Sequence, residues 1–179
     1  MRSPGEAVAL LDIRLRPIAS WMLLLGLAPK PYITLMNDKS FSTTFTVDQT
    51  PEEAFAAIND VRGWWSGQID GSTDKLGDEF TYRYEDIHYS KQKITELIPG
   101  KRVVWLVVES RLDFIADKSE WNGTSITFEI AKKGNKTEVR FTHVGLVPDH
   151  ECFGACSNAW GSLTTRSLRS LIATGNAQS

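Results

Sequence analysis

The spacing of hydrophobic and polar positions changes several times along this chain, and each change predicts an element. Phe41-Ser-Thr-Thr-Phe-Thr-Val47 mixes aromatic and β-branched residues in partial alternation, which predicts a strand. Thr50-Pro-Glu-Glu53 then supplies an N-cap hydroxyl, a proline at the first helical position and a glutamate three residues after the cap, so a helix starts there. Ala54, Phe55 and Ile58 form its apolar stripe. The stretch from Val61 to Ser66, punctuated by Gly63 and Gly67, predicts a second brief helix or turn set against the first.

From Gln68 onward the period is that of strands. Phe80, Tyr82 and Tyr84 share one face of a strand whose other face carries Thr81 and Arg83. Lys91 to Ile98 leads into the turn signal Pro99-Gly100, and Arg102 to Val108 follows as the most apolar strand of the chain. Glu109 to Glu120 reads as a looser acidic loop, closed by Trp121 to Gly123. Thr124 to Ile130 and Thr137 to Val144, separated by Lys132-Lys-Gly-Asn135, predict a hairpin. After Gly145 to Pro148, Asp149 is placed to cap a long helix running to Thr174, with Gly175 as its stop. Cys156, Trp160, Leu163, Ser167 and Leu171 step by three or four along one face of that helix. Gly161 in its middle costs about 1 kcal/mol relative to alanine, which points to a close neighbour or a bend.

Composition narrows the class. A chain of 179 residues with 41% hydrophobic and 23% charged residues is long enough for one domain with its own core. A formal net charge of −2, with no stripe of lysine and arginine, argues against nucleic acid as a partner. Two cysteines, both late in the chain, make no disulfide framework, so a reducing, cytoplasmic setting is the default expectation. Residues 1–37 read differently from the rest. Arg14 and Arg16 precede the apolar run Ile18 to Ala28, which is too short for an integral membrane span. A start that truly lies at Met36, or a loose extension, is the favoured reading; a signal peptide and an amphipathic docking helix are the alternatives. The domain is expected over residues 38–175, with a tail at 176–179.

The order of elements, taken with particular residues, resembles the helix-grip fold of the START-like (SRPBCC) superfamily. Within it the chain is similar to the family named after activators of the 90-kDa heat-shock chaperone's ATPase. The stretches that carry the resemblance are TPEEAFAAI, the WW after it, LGDEFTYRY, KITELIPGKRVVW, TEVRFTHVGL and the last helix around CSNAWGSL, together covering Phe41 to Leu171. Trp160-Gly161 departs from the pattern, since many relatives carry Gly-Trp there. The resemblance implies an α+β architecture: a curved antiparallel sheet wrapped around a long C-terminal helix, with two short helices after the first strand and a cavity between sheet and helix.

Trp64 and Trp65 raise a packing problem, because neighbours on a helix or strand point in different directions and one surface cannot easily bury both. The implied fold offers an answer: one indole plugs the sheet and the other lines or guards the cavity mouth. Candidate cavity residues are Trp64, Trp65, Tyr82, Tyr84, Trp105, Phe128, His143 and Trp160, an aromatic set suited to an apolar ligand with a few polar anchors. His143 shares a face with Phe141 and Gly145, so it enters the cavity if that face is concave; the plainer reading is a histidine satisfied within the fold. His88, near a strand turn, carries the same ambiguity.

Other chemistry is thin. Cys152 and Cys156 at i, i+4, with His150 beside them, offer three ligands for zinc and no C-x-x-C, so burial as small apolar groups is the favoured reading over metal or redox. The carboxylates scatter, and no nucleophile elbow, zincin, P-loop or dinucleotide motif is present. No catalytic residue, cofactor or metal is expected. Three functions follow: binding of a small apolar or amphipathic ligand without catalysis, a co-chaperone-like interaction module contacting a protein through the loop from Glu109 to Glu120, and a small-molecule enzyme using the same cavity.

Overall fold

The computed structural model describes residues 39–178, and the readings made of the segment before Met36 lie outside the described residues. Strand β1 (Phe41–Val47) is followed by α1 (Pro51–Asn59), α2 (Val61–Trp64) and six more strands. These are β2 (Gln68–Gly71), β3 (Glu79–Tyr84), β4 (His88–Ile98), β5 (Arg102–Leu112), β6 (Ser125–Lys133) and β7 (Lys136–Val144). The chain then forms one continuous helical rod: α3 (Phe153–Ser162), a π-helical segment (Leu163–Leu168) and α4 (Arg169–Thr174). All seven strands make one antiparallel sheet in the order β1-β7-β6-β5-β4-β3-β2. This is the helix-grip arrangement expected from the sequence.

The start of α1 follows from its cap. Thr50 Oγ1 accepts from the Glu53 amide while the Glu53 carboxylate accepts from the Thr50 amide at 2.7 Å, closing the reciprocal box. Phe45, Val47, Ala54, Ile58, Val61 and the inward residues of β3 to β7 then share one buried core with the C-terminal rod.

Two elements depart from the sequence reading. Strand β5 runs on to Leu112 instead of ending at Val108. Lys91 pairs with Glu109 and Gln92 with Val107, which leaves Val108 as a bulged residue. That extra residue leaves Val108 and Glu109 adjacent and both exposed, so alternation breaks and the charged continuation resembles a loop. Asp149 does not cap the last helix, which begins at Phe153. The Glu120 carboxylate, from the β5–β6 connection, instead holds the turn just before the helix, accepting from the amides of Glu151 and Cys152. Burial pushes the Glu120 carboxyl up, but the two amides outweigh it and its pKa is lowered.

Gly161 has no close neighbour, since a Cβ there would meet nothing nearer than the Phe41 ring edge at 3.9 Å. The irregularity it announces lies just downstream, where the rod widens to i→i−5 bonding and the Arg169 amide reaches the Thr164 carbonyl. Thr164 and Thr165 hydroxyls donate to the carbonyls of Trp160 and Gly161 at 2.6 and 2.7 Å, which satisfies acceptors that the wider turn loosens.

Two glycines separate these effects. Gly67 has φ +119°, and a Cβ there would lie 2.6 Å from the Arg83 carbonyl and 2.8 Å from the Tyr82 ring. Gly67→Ala is expected to destabilise the protein by more than about 2 kcal/mol. Gly161→Ala is expected to stabilise it by up to about 1 kcal/mol, because the site has room and helix propensity then decides. Urea unfolding of the two variants checks both signs.

Candidate functional site

The tryptophan pair organises the inside of the sheet. Trp64 ends α2 and points into the core, where its indole N–H donates to the Ile58 carbonyl at 3.2 Å and its ring meets Phe128 edge-on. Trp65 is already outside the helix, with an extended backbone at φ −89° and ψ 109°. The change of conformation between the two residues lets both rings lie on the same side, nearly parallel at 14°, each stacked on Trp105. Ser167 Oγ donates to the Trp64 carbonyl at 2.7 Å and ties this turn to the C-terminal rod. Trp64 is the plug, and Trp65 faces the cavity.

That cavity, about 460 Å³, is lined by residues of β3, β4, the β5–β6 connection and α3. Four of the eight candidates line it: Trp65, Tyr82, Tyr84 and Trp160. Trp64, Trp105, Phe128 and His143 do not; they lie in the buried core and are covered by the rings in front of them. His88, Trp121 and Cys156 complete the wall. Trp65 and Tyr82 stack on each other at 4.3 Å, and Trp121 and Trp160 at 5.9 Å, so these rings cover one another and form a nearly inaccessible floor. The small side chains of Ala155 and Ala159 leave the space open, and it reaches solvent past Tyr84, Ile87 and Phe114, each 42% exposed.

His88 was legible in principle. In the β3–β4 hairpin it pairs with Tyr84, so it shares the face that Tyr82 and Tyr84 present. Its ring sits edge-on to Tyr82 at 5.0 Å and to Trp121 at 4.7 Å, and its Nε2 is buried without a hydrogen-bond partner. Desolvation pushes its pKa down to about 4, so the imidazole is neutral at physiological pH. Desolvation also raises the Tyr82 phenol to about 12.

His143 occupies the other position left open by the sequence: it is fully buried and satisfied on both nitrogens. Trp160 Nε1–H donates to Nδ1 at 3.0 Å, and an indole can only donate, so Nδ1 carries no proton. Nε2–H therefore donates to Thr124 Oγ1 at 2.9 Å, and that hydroxyl donates to the Trp121 carbonyl at 2.6 Å. Desolvation, helped by His150 and His88, holds the His143 pKa down to about 3. A ring in this state neither accepts nor releases a proton near neutrality, and its role is to join sheet to helix.

The cysteines are buried, as the sequence favoured. Cys152 Sγ accepts from the Trp121 indole at 3.3 Å, and its hydrogen bond with Cys156 together with burial pushes the Cys152 thiol well up, so it stays protonated. Among the described residues no group of three or more histidines, cysteines or carboxylates gathers as metal ligands. The same residues contain no helix long and apolar enough to cross a membrane.

The two depressed histidines make stability depend on pH. In the unfolded chain each takes a proton near 6.5, and in the folded chain near 3 and near 4, so stability is full above pH 6.5 and falls on acidification toward pH 3. Each is expected to remove about 2 kcal/mol of unfolding free energy between pH 8 and pH 5. Nitrogen NMR is expected to show His143 as the Nε2-protonated neutral tautomer throughout that range; a midpoint above pH 6 would contradict the buried hydrogen-bond chain. Trp160→Phe leaves Nδ1 without its donor and opens space, and is expected to cost about 2–4 kcal/mol in urea unfolding.

Solved structures share this architecture. The Aha1 dimer from Colwellia psychrerythraea is 24% identical, with a TM-score of 0.62 over 76% of this chain and 97% of that one. DynU16, described as a putative protein in the dynemicin biosynthetic locus, is 13% identical, with a TM-score of 0.56 over 78% of this chain and 49% of that one. A Staphylococcus saprophyticus protein is 18% identical, with a TM-score of 0.58 over 78% and 95% of the two chains. At these identities the likeness shows the fold. No curated protein matches the chain. A family model described as "Activator of Hsp90 ATPase homolog 1-like protein" matches residues 38–173, the whole of the sheet and nearly all of the C-terminal rod. The chain therefore belongs to the family of Activator of Hsp90 ATPase homolog 1-like proteins, within the START-like superfamily.

Proposed function

We propose that this domain binds a small apolar or amphipathic molecule in the cavity between sheet and C-terminal helix, without catalysing a reaction on it. The observation that carries the reading is the cavity itself: about 460 Å³, walled by Trp65, Tyr82, Trp121 and Trp160 and open past an apolar rim. Volume, aromatic walls and sparse polar groups are those of small-molecule sites. A catalytic use would call for a group that titrates near neutrality, whereas His88 and His143 are both held well below it.

The second reading is a co-chaperone-like interaction through the outer surface. Tyr84, Ile87 and Phe114 favour it, since they expose apolar surface side by side with the cavity mouth. The connection first expected to make such a contact is largely occupied within the fold. Asp113 pairs with Arg111 at 2.7 Å and Lys118 at 2.6 Å, Asp117 accepts from Ser119, and Glu120 holds the start of α3.

Native mass spectrometry of the full chain purified from its own host, before and after mild organic extraction, tests the first reading. A reproducible mass excess removed by extraction is expected. Ala159→Phe, which fills the cavity from the helix side, is expected to abolish that excess while the fold persists. A clean mass in the wild type, together with stimulation of the host's 90-kDa chaperone ATPase that Phe114→Ser removes, would instead favour the second.

A further inference from the structure

We propose that the mouth of the cavity is a docking site for a basic amphipathic helix of a partner protein, its apolar face on Tyr84, Ile87 and Phe114 and its cations toward the carboxylates beside them. This rests on the second reading above, of the outer surface as a protein contact, and names the segment that surface takes.

The apolar part is a fixed surface. Tyr84 and Ile87 flank the tip of the β3–β4 hairpin and Phe114 stands on the β5–β6 connection, each 42% exposed. The Asp113 amide donates to the Ile87 carbonyl at 2.8 Å, and the Ala116 amide donates to the Glu151 carboxylate at 2.8 Å. Hairpin, connection and the turn before α3 are therefore held side by side. Ala155, Ala159 and Ser162 line the same opening from α3, exposed and spaced by four and three, so they share one helical face. Side chains this small let a second helix come close. An extended peptide has no edge to join here, because β3 and β4 are each paired on both sides. A helix satisfies its own backbone and needs only a surface.

Charge sets the sign of the partner. Glu85 and Asp86 stand exposed between Tyr84 and Ile87, and neither carboxylate has a hydrogen-bond or ion-pair partner among the described residues. Glu85 also holds a left-handed backbone at φ 48°, which glycine would adopt without cost, so turn chemistry alone does not account for a glutamate there. Asp117 and Glu151, also exposed, add negative charge on the other two segments. The cations of these segments are engaged: Arg111 and Lys118 both pair with Asp113, at 2.7 and 2.6 Å, and the Arg83 guanidinium lies over the Tyr89 ring at 4.4 Å. The apolar rim thus sits in surplus negative charge. A basic segment gains by meeting it, an acidic one is repelled, and a basic segment without apolar side chains leaves Phe114 uncovered.

The experiment measures binding of three labelled helical peptides of about 15 residues to the full chain by fluorescence anisotropy. One carries leucine on one face and lysine on the other, the second replaces lysine by glutamate, and the third replaces leucine by serine. Wild type is expected to bind the leucine–lysine peptide at least about tenfold more tightly than either of the others, and more weakly as salt is raised. Phe114→Ser, and the pair Glu85→Lys with Asp86→Lys, are each expected to weaken that binding at least about tenfold. Glu52→Lys with Glu129→Lys makes the same change of charge at the opposite end of β4, where Glu52 lies by Gly100 and Glu129 pairs with Arg102, and is expected to leave binding as it was. Equal binding of the leucine–lysine and leucine–glutamate peptides, or equal losses from the near and remote charge reversals, would overturn the inference. If no peptide binds but Phe114→Ser still removes stimulation of the host's 90-kDa chaperone ATPase, this inference falls and the second reading stands. If the wild type neither binds a peptide nor stimulates that ATPase, both fall.

Discussion

The hydrogen-bond chain from Trp160 through His143 and Thr124 to the Trp121 carbonyl is the contact on which the rest of the arrangement depends. It joins the C-terminal helix to β7, and β7 to the connection that supplies Trp121. Each partner is buried, so each must be satisfied within the protein, and a rigid neutral imidazole can do this only with its two nitrogens in fixed roles. The helix is thereby held at one height and one rotation over the sheet. Glu120 reinforces the same junction from outside by capping the amides that precede α3.

With the helix so placed, the sizes of the side chains decide where the interior closes. At one end Trp64, Trp105, Phe128 and Phe141 interlock at ring separations of about 5–6.5 Å and fill the space under α1 and the rod. At the other end the helix presents Ala155 and Ala159 to Trp65, Tyr82 and Trp121, and nothing is large enough to bridge the gap. The cavity is thus a consequence of small residues on one helical face set opposite large rings on the sheet. Its neutrality has the same origin, because the titratable groups on these walls are surrounded by rings that exclude water.

The Trp64-Trp65 pair shows how local geometry reaches the site. Two adjacent tryptophans would diverge if both were helical, but the helix ends between them, and the change to extended backbone turns the second ring parallel to the first. Gly67, with its positive φ and the Tyr82 ring close by, lets the chain turn straight into β2. The plug and the cavity wall are made by consecutive residues because the chain changes conformation at that peptide.

By itself the sequence determined the order of elements, the capping of α1, the hairpin of β6 and β7, and the apolar face of the last helix through Cys156, Trp160 and Leu163. These rest on interactions within a few residues, where periodicity and turn chemistry act directly. Its resemblance to the family also carried the global fold. Tertiary structure alone decided that β5 continues past Val108, since a bulge is visible only against its partner strand, and that Glu120 rather than Asp149 fixes the turn leading into the last helix, since the carboxylate comes from a distant connection. It likewise decided that His88 faces the cavity and His143 does not. Both lie on inward faces of strands, and which of them meets a donor, an acceptor or open space is set by the side chains that the helix and the β5–β6 connection bring across the sheet.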